Sequence, residues 1–236
     1  MKVNLKPEAY NSWIKEQLNQ KKEVTYQKFI SKLLPGIENI LGVRLPELRK
    51  LASQLAKEEW KTYLHNALQD SYEEIMLQGM VLGYAKGDLK EKKEYLKNFI
   101  PKIDNWSVCD SVCSTIKLAK EQPEEMWEFL QPYLYSSQEF EVRFALVQLL
   151  NYYVNKNYFY LVLKTVEQIQ CNYYYVNMAQ AWAVSICYRE FPEETIPFLK
   201  ENSLKNFIHN KAIQKITESM KVSKKEKEYI RTLKRI

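Results

Sequence analysis

Apolar positions recur along this chain at intervals of three and four residues, the spacing that lines one face of an α-helix. Trp13, Ile14 and Leu18 follow Pro7-Glu8-Ala9-Tyr10, and Leu51 and Leu55 follow Pro46-Glu47-Leu48, each with a proline at the first helical turn. Gly36 and Gly42 punctuate the loop between these two helices. The same periodicity predicts helices over 60–68, 72–84 and 89–100, the last after the Gly87-Asp88 break. Further helices are predicted over 123–134, 137–154, 158–169, 173–191, 194–199, 204–220 and 223–233. No hairpin dipeptide or sustained alternation interrupts them, so the fold class is all-α.

Short connections predict antiparallel neighbours. Val142-Arg143-Phe144-Ala145 is echoed by Val176-Asn177-Met178-Ala179, 34 positions on. Paired helices with a repeat of that order point to a single curved α-solenoid spanning 1–236 as one domain. The concave face of such a stack fits a rod-like partner such as duplex DNA, whereas the commoner use of helical repeats is a protein-binding scaffold.

Composition narrows the chemistry. A hydrophobic fraction of 46% with 13% aromatic residues is that of a folded chain. The net charge of +6 permits a polyanionic partner without demanding one. Met1 to Pro7 contains no apolar leader segment and no apolar run reaches membrane-spanning length, which predicts a cytoplasmic protein. With only His65 and His209, histidine-based catalysis is disfavoured. Five glycines leave no phosphate-cradling loop for a nucleotide cofactor. Cys109 and Cys113 lie one helical turn apart but have no neighbouring histidine, so they and Cys171 and Cys187 are expected to be buried thiols, with no metal site.

The segment Asp104-Asn105-Trp106-Ser107-Val108-Cys109-Asp110 is the most informative in the chain. If it is helical, Trp106 and Asp110 share one face, placing a flat apolar surface beside an anion, a pairing suited to a cationic, aromatic or deoxyribose-like ligand. Each residue also has a structural reading. Trp106 fits an indole at a helix entrance behind an N-cap, and Asp110 a first-turn acid favoured by the helix dipole.

Taken in order, this segment, Glu141-Val142-Arg143-Phe144-Ala145-Leu146-Val147 and Tyr174-Tyr175-Val176-Asn177-Met178-Ala179-Gln180-Ala181-Trp182 fall on successive inner helices. With Ile40-Leu41-Gly42-Val43-Arg44-Leu45-Pro46-Glu47-Leu48-Arg49 and Asn210-Lys211-Ala212-Ile213-Gln214-Lys215-Ile216, they resemble the AlkD-type DNA alkylation-repair family. The resemblance spans nearly the whole chain. It implies a HEAT-like solenoid holding duplex DNA in a basic concave groove, and a glycosylase that excises N3- or N7-alkylated purines without fully flipping the lesion.

The family's Trp, Asp, Arg and second Trp fall on Trp106, Asp110, Arg143 and Trp182. Tyr26 resembles a family tyrosine near the lesion; Arg44 and Lys211 are candidates for phosphate contacts, as Arg143 is. The sequence carries no oligomer signal, so a monomer is expected for a DNA-wrapping solenoid, and the chemistry assigned to these residues requires no metal or redox cofactor. Ser107 and Cys109 depart from better-understood members without removing a proposed catalytic group. Read without the resemblance, Trp182 between Ala181 and Ala183 fits a core position and Arg143 a partner for Glu139. The alternative function is that of a non-catalytic helical-repeat protein binding DNA structures or a protein partner. The basic tail from Lys221 to Arg235 is expected to be a solvated terminal helix.

Overall fold

The computed structural model describes residues 7–236, with side chains from Tyr10 onward. The opening stretch 1–6, on which the leader-segment expectation rests, lies outside the described residues. Among the described residues the chain is helical and contains no strand, only an isolated antiparallel bridge between Lys22 and Val43. None of these helices is long and apolar enough to cross a membrane.

Two compact units divide at Gln122 and Pro123. In the first, α1 (Pro7–Gln20) buries Tyr10, Ile14 and Leu18, spaced four apart, and packs on α4 (Trp60–Asn66). The second helix, α2 (Val24–Leu33), buries only Ile30, and the sequence pattern did not single it out. A row then forms in which α3 (Leu45–Leu55) packs on α5 (Tyr72–Tyr84), and α5 on α7 (Trp106–Cys113). The helix α6 (Leu89–Phe99) covers α5, and a 3-10 turn, Ile100–Lys102, leads toward α7. The four-residue α8 (Leu118–Glu121) ends the unit.

Being wrapped on several sides, α5 is buried nearly throughout, and its polar groups must be satisfied internally. Glu73 accepts from the amides of Leu41, Gly42 and Val43 at 2.9, 2.7 and 3.1 Å, which fixes the loop before α3. Ser71 and Glu74 form a reciprocal capping box at the start of α5. Gly79 has no room for a side chain: a Cβ there would lie 2.4 Å from the Phe99 ring and 2.5 Å from Val112.

The second unit repeats the scheme. Its central row is α10 (Glu139–Tyr152), α12 (Tyr174–Glu190) and α14 (Asn206–Glu218), each packed on the next. Around it lie α9 (Pro123–Leu134), α11 (Phe159–Gln168), α13 (Pro192–Lys200) and α15 (Lys224–Arg231). Gln180 is fully buried in α12 and donates to the carbonyls of Val166 and Ile169 at the end of α11, taking up acceptors that a helix C-terminus leaves open. The tail is tied down rather than merely solvated. Arg235 donates to the carbonyls of Leu204 and Asn202, and its amide to Asn210.

Cys109, Cys113 and Cys187 are buried thiols, and burial pushes the Cys187 thiol up to about 12. Cys171 departs from the expectation. It is only half-buried, because it lies in the connection between α11 and α12, and connections run over the surface.

Candidate functional site

Asn105 caps α7, its side-chain oxygen accepting from the Val108 amide at 2.9 Å, so the helix begins at Trp106. Val108, Cys109, Val112 and Cys113 are completely buried, which fixes the rotation of this short helix. Trp106 and Asp110, one turn apart, therefore fall on the side away from the core, and both are partly exposed. Ser107 and Tyr72 share a buried hydrogen bond of 2.6 Å that joins the first turn of α7 to the first turn of α5. The Trp106 indole N–H donates to the Leu33 carbonyl at the end of α2, 3.3 Å away.

Tyr26 and Arg44 are brought together in the same unit. The Arg44 guanidinium lies over the Tyr26 ring, 4.9 Å from its centroid, within cation–π range. Its Nε also donates to both carboxylate oxygens of Glu23, at 2.8 and 2.9 Å. That bond raises the Arg44 guanidinium and holds the Glu23 carboxyl below its ordinary value. Burial raises the Tyr26 phenol, which stays protonated at neutral pH. The loop reaches α2 closely at Gly42, whose φ of +88° suits glycine; a Cβ there would meet the Glu23 carbonyl oxygen at 2.7 Å.

Arg143, Trp182 and Lys211 belong to the second unit. Arg143 is buried in α10 and donates from Nη1 to the Tyr175 carbonyl at 2.6 Å. Glu139 accepts from the Tyr175 amide, also at 2.6 Å, so one turn of α10 holds both backbone groups of a single residue in α12. Lys211, half-exposed on α14, donates to Gln214 at 3.0 Å.

Trp182 is not a core residue. Its neighbours Ala181 and Ala183 are fully buried, yet the indole is partly exposed and lines a surface cavity of about 210 Å³. Ser185, Ile186, Arg189, Lys215 and Glu218 share that cavity. Sequence reading passed over Arg189 and Lys215. The available signal was that Arg189 stands seven residues after Trp182, two helical turns along the same face.

In the first unit an outward indole and a carboxylate stand one turn apart on α7, and in the second an outward indole lines a cavity with Arg189 and Lys215; each arrangement by itself suits a ligand with aromatic and charged parts. A family model described as DNA alkylation repair enzyme matches residues 13–216. The chain belongs to the DNA alkylation repair enzyme family. Tyr26, Arg44, Trp106, Asp110, Arg143, Trp182 and Lys211 all lie within the matched span, and membership places this protein in DNA alkylation repair with DNA as substrate. A search of curated proteins finds no significant match to the chain.

Proposed function

We propose that this DNA alkylation repair protein is a glycosylase that hydrolyses the N-glycosidic bond of N3- or N7-alkylated purines in duplex DNA. The observation that carries this reading is the pairing of Trp106 and Asp110 one turn apart on the outward side of α7 in a member of that family. An alkylated purine of this kind already bears a positive charge. It leaves as a neutral base with the electron pair of the broken bond, so no general acid is needed. One carboxylate without a histidine is sufficient chemistry.

Asp110 is assigned to stabilise the oxocarbenium-like sugar and to orient the water whose oxygen bonds to the anomeric carbon; the proton that water loses passes to the carboxylate and then to solvent. The indole faces of Trp106 and Trp182 are assigned to the sugar–phosphate backbone and the cationic lesion, each contact contributing roughly 0.5–2 kcal/mol. Arg143 and Lys211, and Arg44 with Tyr26 beneath it, are assigned to the DNA backbone and its register. The base need not flip fully, and the protein acts as a cytoplasmic monomer.

A second reading, a non-catalytic helical-repeat protein, draws support from Arg143, whose bond to the Tyr175 carbonyl also fits a structural role. Release of 7-methylguanine and 3-methyladenine from methylated duplex DNA separates the two. A glycosylase releases base, and Asp110→Asn loses release while keeping DNA affinity. A wild-type protein that binds the methylated duplex and frees neither base is the non-catalytic binder.

A further inference from the structure

The helix α2 (Val24–Leu33) is turned inside out relative to its neighbours. It buries only Ile30, whereas Val24, Phe29 and Leu33 are 66%, 58% and 43% exposed. Phe29 and Leu33 stand one turn apart on a common face, and Tyr26 precedes Phe29 by three residues with its ring 6.3 Å away. Lys28 and Lys32, also one turn apart, flank this stripe and are exposed. The helix contains no acid, and Glu23 just before it is occupied by Arg44. Among the described residues neither lysine has a carboxylate partner.

An apolar stripe beside two cations that have no carboxylate partner among the described residues fits a surface that is apolar and anionic at once. The backbone of duplex DNA has that character, with deoxyribose carbons between phosphates. The location agrees, because the last carbonyl of α2 holds the Trp106 indole. We propose that the outward face of α2 is a DNA-docking surface, with Lys28 and Lys32 on phosphates of one strand and Phe29 and Leu33 packed on the sugars between them. Four residues of helix rise about 6 Å, so the two ammonium groups reach separate phosphates. This inference rests on the proposed action on duplex DNA but concerns binding, not bond cleavage.

The test measures affinity of the full chain for a short duplex, unmodified and methylated, across a salt series. Each phosphate contact contributes about 0.9 to the slope of log affinity against log salt, so Lys28→Ala with Lys32→Ala lowers its magnitude by about 1.8. Phe29→Ser with Leu33→Ser weakens binding roughly tenfold at unchanged slope. All four side chains are exposed, so thermal unfolding stays as in wild type, which the same samples verify. An unchanged slope in the lysine pair overturns the proposal. So does wild-type DNA affinity in the Phe29/Leu33 pair, including the case in which that pair instead abolishes self-association or capture of a protein partner. Base release is scored separately. A protein that docks through α2 and releases no base leaves this inference standing while the glycosylase reading falls.

Discussion

The indole nitrogen of Trp106 reaches back 73 residues to donate to the carbonyl of Leu33. That bond ties the start of α7 to the end of α2, so the candidate catalytic face and the exposed stripe of α2 share a boundary. At 3.3 Å with one side open to solvent it orients the ring more than it stabilises the fold.

Trp106→Phe keeps an aromatic face and loses only this donor. Chemical unfolding should register a change below about 1 kcal/mol, with base release reduced but measurable. Trp106→Ala removes the face as well, and release should fall much further at similar stability. Equal loss of stability and release in both variants would mean that the ring is structural.

Tyr72→Phe breaks the buried bond to Ser107 and leaves a hydroxyl unsatisfied. The expected cost is about 1–2 kcal/mol in urea unfolding. Because the bond anchors the first turn of α7, release should drop too. Ser107→Ala added to Tyr72→Phe should recover part of the stability, since no orphaned group then remains; a fully additive double variant would contradict the coupling.

Glu73→Gln places an amide N–H₂ where a carboxylate oxygen accepts from loop amides. Donor then faces donor in a fully buried position, at a cost of about 2–4 kcal/mol. Hydrogen exchange should speed up at Leu41, Gly42 and Val43, and DNA affinity should weaken as Arg44 loses its seat over Tyr26. Native protection at those amides would refute the assignment.

His209 gives the fold a pH dependence. Burial holds its imidazole below the ordinary 6.5, while Nε2 pairs with the Leu233 carbonyl at 2.8 Å and Nδ1 with Asn202 at 3.2 Å. The folded state therefore favours the neutral ring and the unfolded chain takes up the proton first. Its contribution is complete above about pH 6.5 and is lost as pH falls through the lower folded value. Urea midpoints measured from about pH 7 to about pH 5 should decline for wild type and flatten for His209→Gln, which starts lower. Parallel curves would show that other groups set the slope.

Much of the helical order was legible because most helices bury one regular stripe. The exception is instructive. In α2 the apolar residues Val24, Phe29 and Leu33 face water, so no core-directed stripe existed to read, and the helix escaped notice. The four-residue α8 is too short to carry a period. Pro192 opens α13 two residues before the expected start, as a proline at the first helical position does.

Local sequence determined the start of α7 and the shared face of Trp106 and Asp110, because an N-cap and a 3.6-residue turn are properties of adjacent residues. It also carried, in order, the Trp, Asp, Arg and Trp on which the resemblance rests. Only tertiary packing decided that Trp182 looks outward between two buried alanines, that Arg143 is buried against Tyr175, and that Arg44 lies over Tyr26. These outcomes depend on partners distant in sequence. Gln180 fixes α12 on the end of α11, and Glu73 holds a loop some thirty residues before it. Contacts of that range leave no periodic trace in the chain, so exposure at a single position follows from them and not from its neighbours.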